Sequence, residues 1–134
     1  MGCRVHVVSK QAHYGHTAAF NWQMEDFKTL LRSCGAIVDD IGEDGFELNL
    51  NVYKAIITIL KRLSKNPNLD TLDLVDLRIE TDYGTLFDPE RINLEDVKDD
   101  IEKLECSIDE LISILKDFYK ERDKKSKWIQ FSAF

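Results

Sequence analysis

The stretch Val97–Phe134, VKDDIEKLECSIDELISILKDFYKERDKKSKWIQFSAF, carries two periodicities in succession, and the change between them decides the fold class. Val97, Ile101, Leu104, Ile108, Leu111, Leu115 and Phe118 step by 4, 3, 4, 3, 4 and 3. That spacing puts all seven side chains on one stripe of helix, in the heptad rhythm of a helix that packs on another helix. Asn93 stands at an N-cap position, with Glu95 and Asp96 in the first turn. Lys120, Arg122, Lys124 and Lys125 gather at the far end, matching the helix dipole. After Lys127 the rhythm changes, and Trp128–Phe134 is aromatic and partly alternating, as a closing strand or aromatic clasp would be.

Two geometries fit the heptad run. One is a single helix of about 30 residues, about 45 Å long at ~1.5 Å per residue. The other breaks at Cys106-Ser107, where Ser107 and Glu110 fit a capping box. Ile108 continues the seam without a phase slip, which favours the continuous helix. If the helix packs on its own sheet the seam is core; if it faces a second copy, the same residues form a homodimer interface.

Upstream, Arg4–Ser9 alternates and is β-branched, the mark of a strand, and a central one. Lys10–His16 is a polar loop. Phe20, Met24, Phe27, Leu31 and Cys34 then trace one face of an amphipathic helix, with Thr17 or Asn21 as its cap and Gly35 as its C′ glycine. Ala36–Ile41 and Phe46–Leu50 flank a four-residue hairpin loop, Gly42-Glu43-Asp44-Gly45. Asn49 or Asn51 caps a second helix with Val52, Ile56, Leu60 and Leu63 buried, ending in Lys61, Arg62 and Lys65 and stopped by Asn66-Pro67. Residues 67–81 fit a short helix or a strand equally well, and Asp82–Pro89 reads as a loop. The expected architecture is one α+β domain over residues 1–134. It has a small mixed or antiparallel sheet of three to five strands, two amphipathic helices, a long C-terminal helix, continuous or broken near residue 106, and an aromatic last strand.

A chain of 134 residues with 43% apolar and 32% charged residues can bury a core without disulfides. The three cysteines Cys3, Cys34 and Cys106 are too few and too scattered for a disulfide framework. No apolar run approaches the roughly 20 residues of a membrane helix, and no secretory signal is visible, so the expected location is cytoplasmic. The net charge of −7 disfavours a general affinity for nucleic acid. The charge is uneven: residues 1–24 hold Arg4 and Lys10 and no acid, and all three histidines, His6, His13 and His16, lie there too.

That opening is where ligand chemistry is expected. Cys3, His6, His13 and His16 are zinc-type ligands, but Cys3 and His6 point to opposite faces of a strand, so no metal or other cofactor is expected. Lys10, His13, Tyr14, His16 and Thr17, read as a loop between a strand and a helix N-terminus, could instead bind an anion or nucleotide in a concave pocket. No glycine-rich phosphate loop or serine elbow accompanies them. Cys34 sits at a helix C-terminus, where the dipole raises its pKa. With no catalytic constellation, the favoured function is an acidic, non-enzymatic interaction module of the inhibitor, immunity or adaptor kind. Its expected partner is a basic protein, with a homodimer through the C-terminal helix as a further option. A small anion-binding domain or enzyme built on residues 10–17 is the alternative.

Overall fold

The computed structural model describes residues 3–10, 13–69 and 86–134. The strands are β1 (Val5–Lys10), β2 (His13–Tyr14), β3 (Asp39–Ile41), β4 (Gly45–Asn49) and β5 (Trp128–Ala133). The helices are α1 (Met24–Ser33), α2 (Leu50–Lys65), α3 (Leu94–Lys103) and α4 (Ile108–Glu121). The strands form one antiparallel sheet in the order β2-β1-β5-β4-β3, so the C-terminal strand is the middle one. The fold is the expected α+β type with a C-terminal strand, and the sheet is antiparallel rather than mixed. Residues 70–85, where the sequence left helix and strand open, lie outside the described residues.

Alternation along β5 divides the sheet into two unlike faces. Ile129, Phe131 and Ala133 point inward with Val5 and Val7 of β1 and Phe46 and Leu48 of β4, and all are buried. Phe131 is the hub: its ring lies 5.1 Å from Phe46, 5.1 Å from Phe118 on α4 and 5.4 Å from Phe27 on α1. Tyr53 of α2 donates to the Leu115 carbonyl at 2.5 Å, which ties α2 to α4 across the core. Removal from water pushes the Tyr53 hydroxyl well above its ordinary pKa. α3 packs on α1 rather than on the sheet, and the Ser33 hydroxyl donates to the buried Asp100 carboxylate at 2.6 Å.

Four local expectations are corrected. First, the C-terminal run is two helices. Glu105 takes the left-handed conformation (φ 57°), and Ser107 with Glu110 closes a full capping box. The hydrophobic period fixes which side of each helix is buried, not whether the axis stays straight. α3 must reach α1 while α4 must reach α2 and β1, and one rod cannot do both.

Second, the seam is core and not an exposed interface. Val97, Leu111, Leu115 and Phe118 are fully buried by the chain itself, Ile101 and Leu104 nearly so, and Ile108 is half-buried. Third, the chain after β2 does not start a helix at Thr17 or Asn21. It runs back along β1, with Ala19 bridging Val5, and α1 begins only after Gln23, without a side-chain cap. Phe20 and Trp22 are left-handed (φ 56° and 60°), and Asn21 accepts from the Cys3 amide instead of capping. Fourth, the β3–β4 turn has three residues, not four. Gly45 belongs to β4 opposite Ile41, and a Cβ there would sit 2.8 Å from the Ile41 carbonyl oxygen. Asn49 and Asn93 cap α2 and α3 as read from the sequence, and Gly35 (φ 95°) follows α1.

Candidate functional site

Nothing among the described residues packs as a helix on the outer face of the sheet. That face presents Arg4 just before β1, His6 and Val8 from β1, Gln130, Ser132 and Phe134 from the β5 side, Glu47 from β4, and Asp39 and Ile41 from β3. Antiparallel pairing fixes these neighbours: Ser132 lies opposite His6 on one side and Gly45 on the other. Arg4 and Phe134 exchange backbone hydrogen bonds of 2.9 and 3.0 Å, which extends the β1–β5 ladder to the last residue.

This register brings three rings together. The His6 imidazole stacks on Phe134 with centroids 4.1 Å apart and planes 7° from parallel. Tyr14 meets Phe134 edge-on at 4.8 Å. Tyr14 and Phe134 remain 45% and 54% exposed, so the rings organise one another without being covered. Next to them the Asp44 carbonyl accepts from the Ala133 amide at 2.7 Å, which sets the β3–β4 turn beside the aromatic group. Glu43 and Asp44 are exposed in that turn, and Asp39 is exposed at the far end of β3, opposite Glu47. Asp40 alternates to the inner side, where buried Lys28 of α1 holds it at 2.5 Å. The Lys28 hydrogen bond, reinforced by its charge, keeps the Asp40 carboxyl below its ordinary range.

The residues of the predicted loop site lie on the antiparallel β1–β2 pair and just after it. Lys10 pairs with His13, and Tyr14 with Val8, so these residues form a hairpin rather than the lip of a strand-to-helix crevice. His13 and His16 are exposed and Thr17 is half-buried. The amides of His16 and Thr17 converge as an anion site would, but the anion is the chain's own: Glu121 Oε1 accepts from them at 2.5 and 2.8 Å. Burial raises the Glu121 carboxyl, and the Thr17 and His16 hydrogen bonds outweigh it and hold the group below its ordinary range. Gly15 permits this approach, because a Cβ there would lie 2.8 Å from Glu121 Cβ. A cavity of about 190 Å³ lies elsewhere, lined by Leu63, Ser64, Pro67, Lys98, Ile101 and Ile108.

The cysteines are free and apart. Cys34 is fully buried, and burial, with Asp100 adding to it, pushes its thiol up to about 12; that cause replaces the helix dipole expected from its position. Burial and then Glu110 raise Cys106. Among the described residues no three His, Cys, Asp or Glu side chains gather as a metal set, and no helix is long and apolar enough to cross a membrane.

Sequence reading missed the His6–Tyr14–Phe134 group. The alternation of Trp128–Phe134 marked a strand, but only pairing across the whole chain seats residue 134 beside residue 6. Compared with protein-family models, curated proteins and solved structures, the chain has no match in any of the three.

Proposed function

We propose that this chain is a non-enzymatic interaction module that docks a basic protein partner on the outer face of its sheet. The observation carrying the proposal is the His6–Tyr14–Phe134 group, in which Tyr14 and Phe134 are exposed, beside the acidic β3–β4 turn. Aromatic side chains already held in place lose little entropy on binding, and such residues dominate the energy of protein interfaces. The exposed acids Asp39, Glu43 and Asp44 supply a rim that would steer a positively charged surface and set the association rate. Action as an inhibitor, immunity-type protein or adaptor follows from such a face by blocking or bridging the partner. The loop of Lys10, His13, Tyr14, His16 and Thr17 has less support as an external anion site, since Glu121 already occupies its converging amides.

The test compares the wild-type chain with Tyr14→Ala/Phe134→Ala in affinity purification from the native host. The expected result is a basic protein retained at one-to-one stoichiometry by the wild type and lost by the variant. Glu43→Lys/Asp44→Lys should slow its association by about tenfold while leaving dissociation nearly unchanged. A partner held equally by the aromatic double variant would place the binding surface elsewhere and end this reading.

A further inference from the structure

The groove between α2 and α4, in the helical layer, carries the opposite charge to the sheet's acidic edge. α2 contains Lys54, Lys61, Arg62 and Lys65 and not one acid, in a chain whose net charge is −7. Lys54, Lys61 and Lys65 are exposed, as is Lys116 on α4. Two contacts mark the ends of the helix pair. Ser64 donates to Asp109 at 2.6 Å at one end, and the Lys54 ammonium lies 5.9 Å from the Tyr119 ring at the other. Lys61 and Lys116 fall between these contacts. No carboxylate forms a salt bridge with any of these four lysines among the described residues. Lys116 and Lys65 are close enough to lower the Lys61 pKa, with Lys116 the largest cause. Folding therefore crowds like charges here instead of spreading them, and an external anion would relieve that repulsion.

The array is linear. Lys54 to Lys65 spans about 16 Å along the helix at ~1.5 Å per residue, room for several groups of an extended polyanion. At the Lys54 end the Arg122 guanidinium lies 3.8 Å from the Tyr119 ring, with Nη1 donating to the Tyr119 carbonyl. Arg122 Nε is buried with no acceptor among the described residues. A guanidinium on an aromatic ring is a surface on which an unpaired base can stack. The exposed large apolar side chains Tyr14, Trp22, Ile41 and Phe134 all lie off α2 and α4, so the groove lacks the wedge that seats an amphipathic helix in a bilayer. The nearby acids do not close the groove: Asp109 is engaged by Ser64 at its end, and Asp117 is exposed on α4.

We propose that the α2–α4 groove binds the phosphate backbone of single-stranded nucleic acid through Lys54, Lys61, Lys65 and Lys116, with Tyr119 and Arg122 as a stacking platform at one end. The chain's net charge, which argued against general nucleic-acid affinity, is a sum over surfaces of both signs, and the screened field at the groove is set mainly by its own lysines.

The experiment is fluorescence anisotropy with a labelled oligonucleotide of about 12 nucleotides, the size of a typical single-strand site, titrated with the full chain at about 50 to 200 mM salt. Four phosphate contacts predict a log–log salt slope of about −3, and Lys61→Glu/Lys116→Glu should weaken low-salt binding at least tenfold and roughly halve that slope. Lys61→Gln/Lys116→Gln should fall between it and the wild type. Arg4→Glu/Arg91→Glu makes the same change in net charge at exposed positions off α2 and α4 and should bind like the wild type. Circular dichroism of each variant separates lost binding from lost fold. No binding at low salt, equal loss in the two charge-reversed pairs, equal binding of polyglutamate, or binding confined to phosphatidylserine vesicles would each overturn the proposal.

Discussion

The outer face of the sheet and the α2–α4 groove are both solvent-facing, yet they are built by opposite means. The sheet face draws its residues from both ends of the chain: His6 and Tyr14 come from the start, Phe134 from the end, and the acids Asp39, Glu43 and Asp44 from between. The groove takes its cations from two helices whose buried stripes fix the register. One surface is aromatic and acidic, the other cationic with no exposed large apolar side chain. A net charge of −7 describes neither. The difference teaches that the net charge conceals local patches of both signs, even within the helical layer, where α3 carries Glu95, Asp96, Asp99, Asp100 and Glu102 while α2 carries only cations, and an aromatic core separates the sheet face from the groove.

The largest test of that separation lies within β5. Phe131 faces the core and Phe134 faces outward, three residues away. Phe131→Ala should cost about 3–5 kcal/mol in urea denaturation, because Phe27, Phe46, Tyr53 and Phe118 all lose their contact with one ring. Phe134→Ala should cost no more than about 0.5 kcal/mol. Similar costs for the two would mean that the outer face is a second packed layer and the comparison is void.

Next in size is the bond that fixes the groove. Tyr53→Phe removes the donor to the buried Leu115 carbonyl and should destabilise the chain by about 1–2 kcal/mol, with circular dichroism at room temperature unchanged. A neutral result would show that α2 and α4 are held by apolar packing alone.

Glu121 links the layers, since it leaves the end of α4 to hold the His16 and Thr17 amides beside β1. Glu121→Gln should lower stability by about 1 kcal/mol at pH 7. Because the folded carboxyl titrates below its ordinary 4.5, its contribution is whole above that value and is lost as pH falls through the depressed one. The thermal melting gap between variant and wild type should therefore close on acidification below pH 4.5. A gap that persists at low pH would assign the effect to packing against Gly15.

The smallest effect concerns the turn that lets α3 and α4 take different neighbours. Ser107→Ala opens the capping box and should cost about 0.5–1 kcal/mol. Amide exchange should then speed up in the first turn of α4 and not in α3. Uniform acceleration through both would mean that the two helices unfold as one unit.

Much of the local structure was legible because short-range chemistry specifies it. The cap Asn93, the C′ glycine Gly35 and the buried faces of α2 and of α3 with α4 follow from residue type and spacing alone, while Asn49 is one of two candidate caps and a strand one of two readings of the aromatic tail. Even the corrected features left traces: Ser107 and Glu110 spelled a capping box, but an unbroken hydrophobic phase outweighed it, since periodicity is blind to the direction of the axis. Phe20 fitted the helix period and is indeed buried, yet it reaches the core from a left-handed loop position. Spacing reports burial there, not conformation.

The candidate surfaces were less legible. The amino-acid sequence determined that the chain alternates between helix and strand, which side of each element is apolar, and that α2 would carry only cations. Tertiary structure alone decided that β5 lies between β1 and β4, that Phe134 meets His6 and Tyr14, that Glu121 fills the amides of the histidine loop, and that Lys116 comes beside Lys61. The physical reason is range. Caps, turns and hydrophobic periods act over a few residues, whereas strand order and ring contacts between residues more than 100 apart are chosen by which arrangement buries Phe27, Phe46, Phe118 and Phe131 around one another.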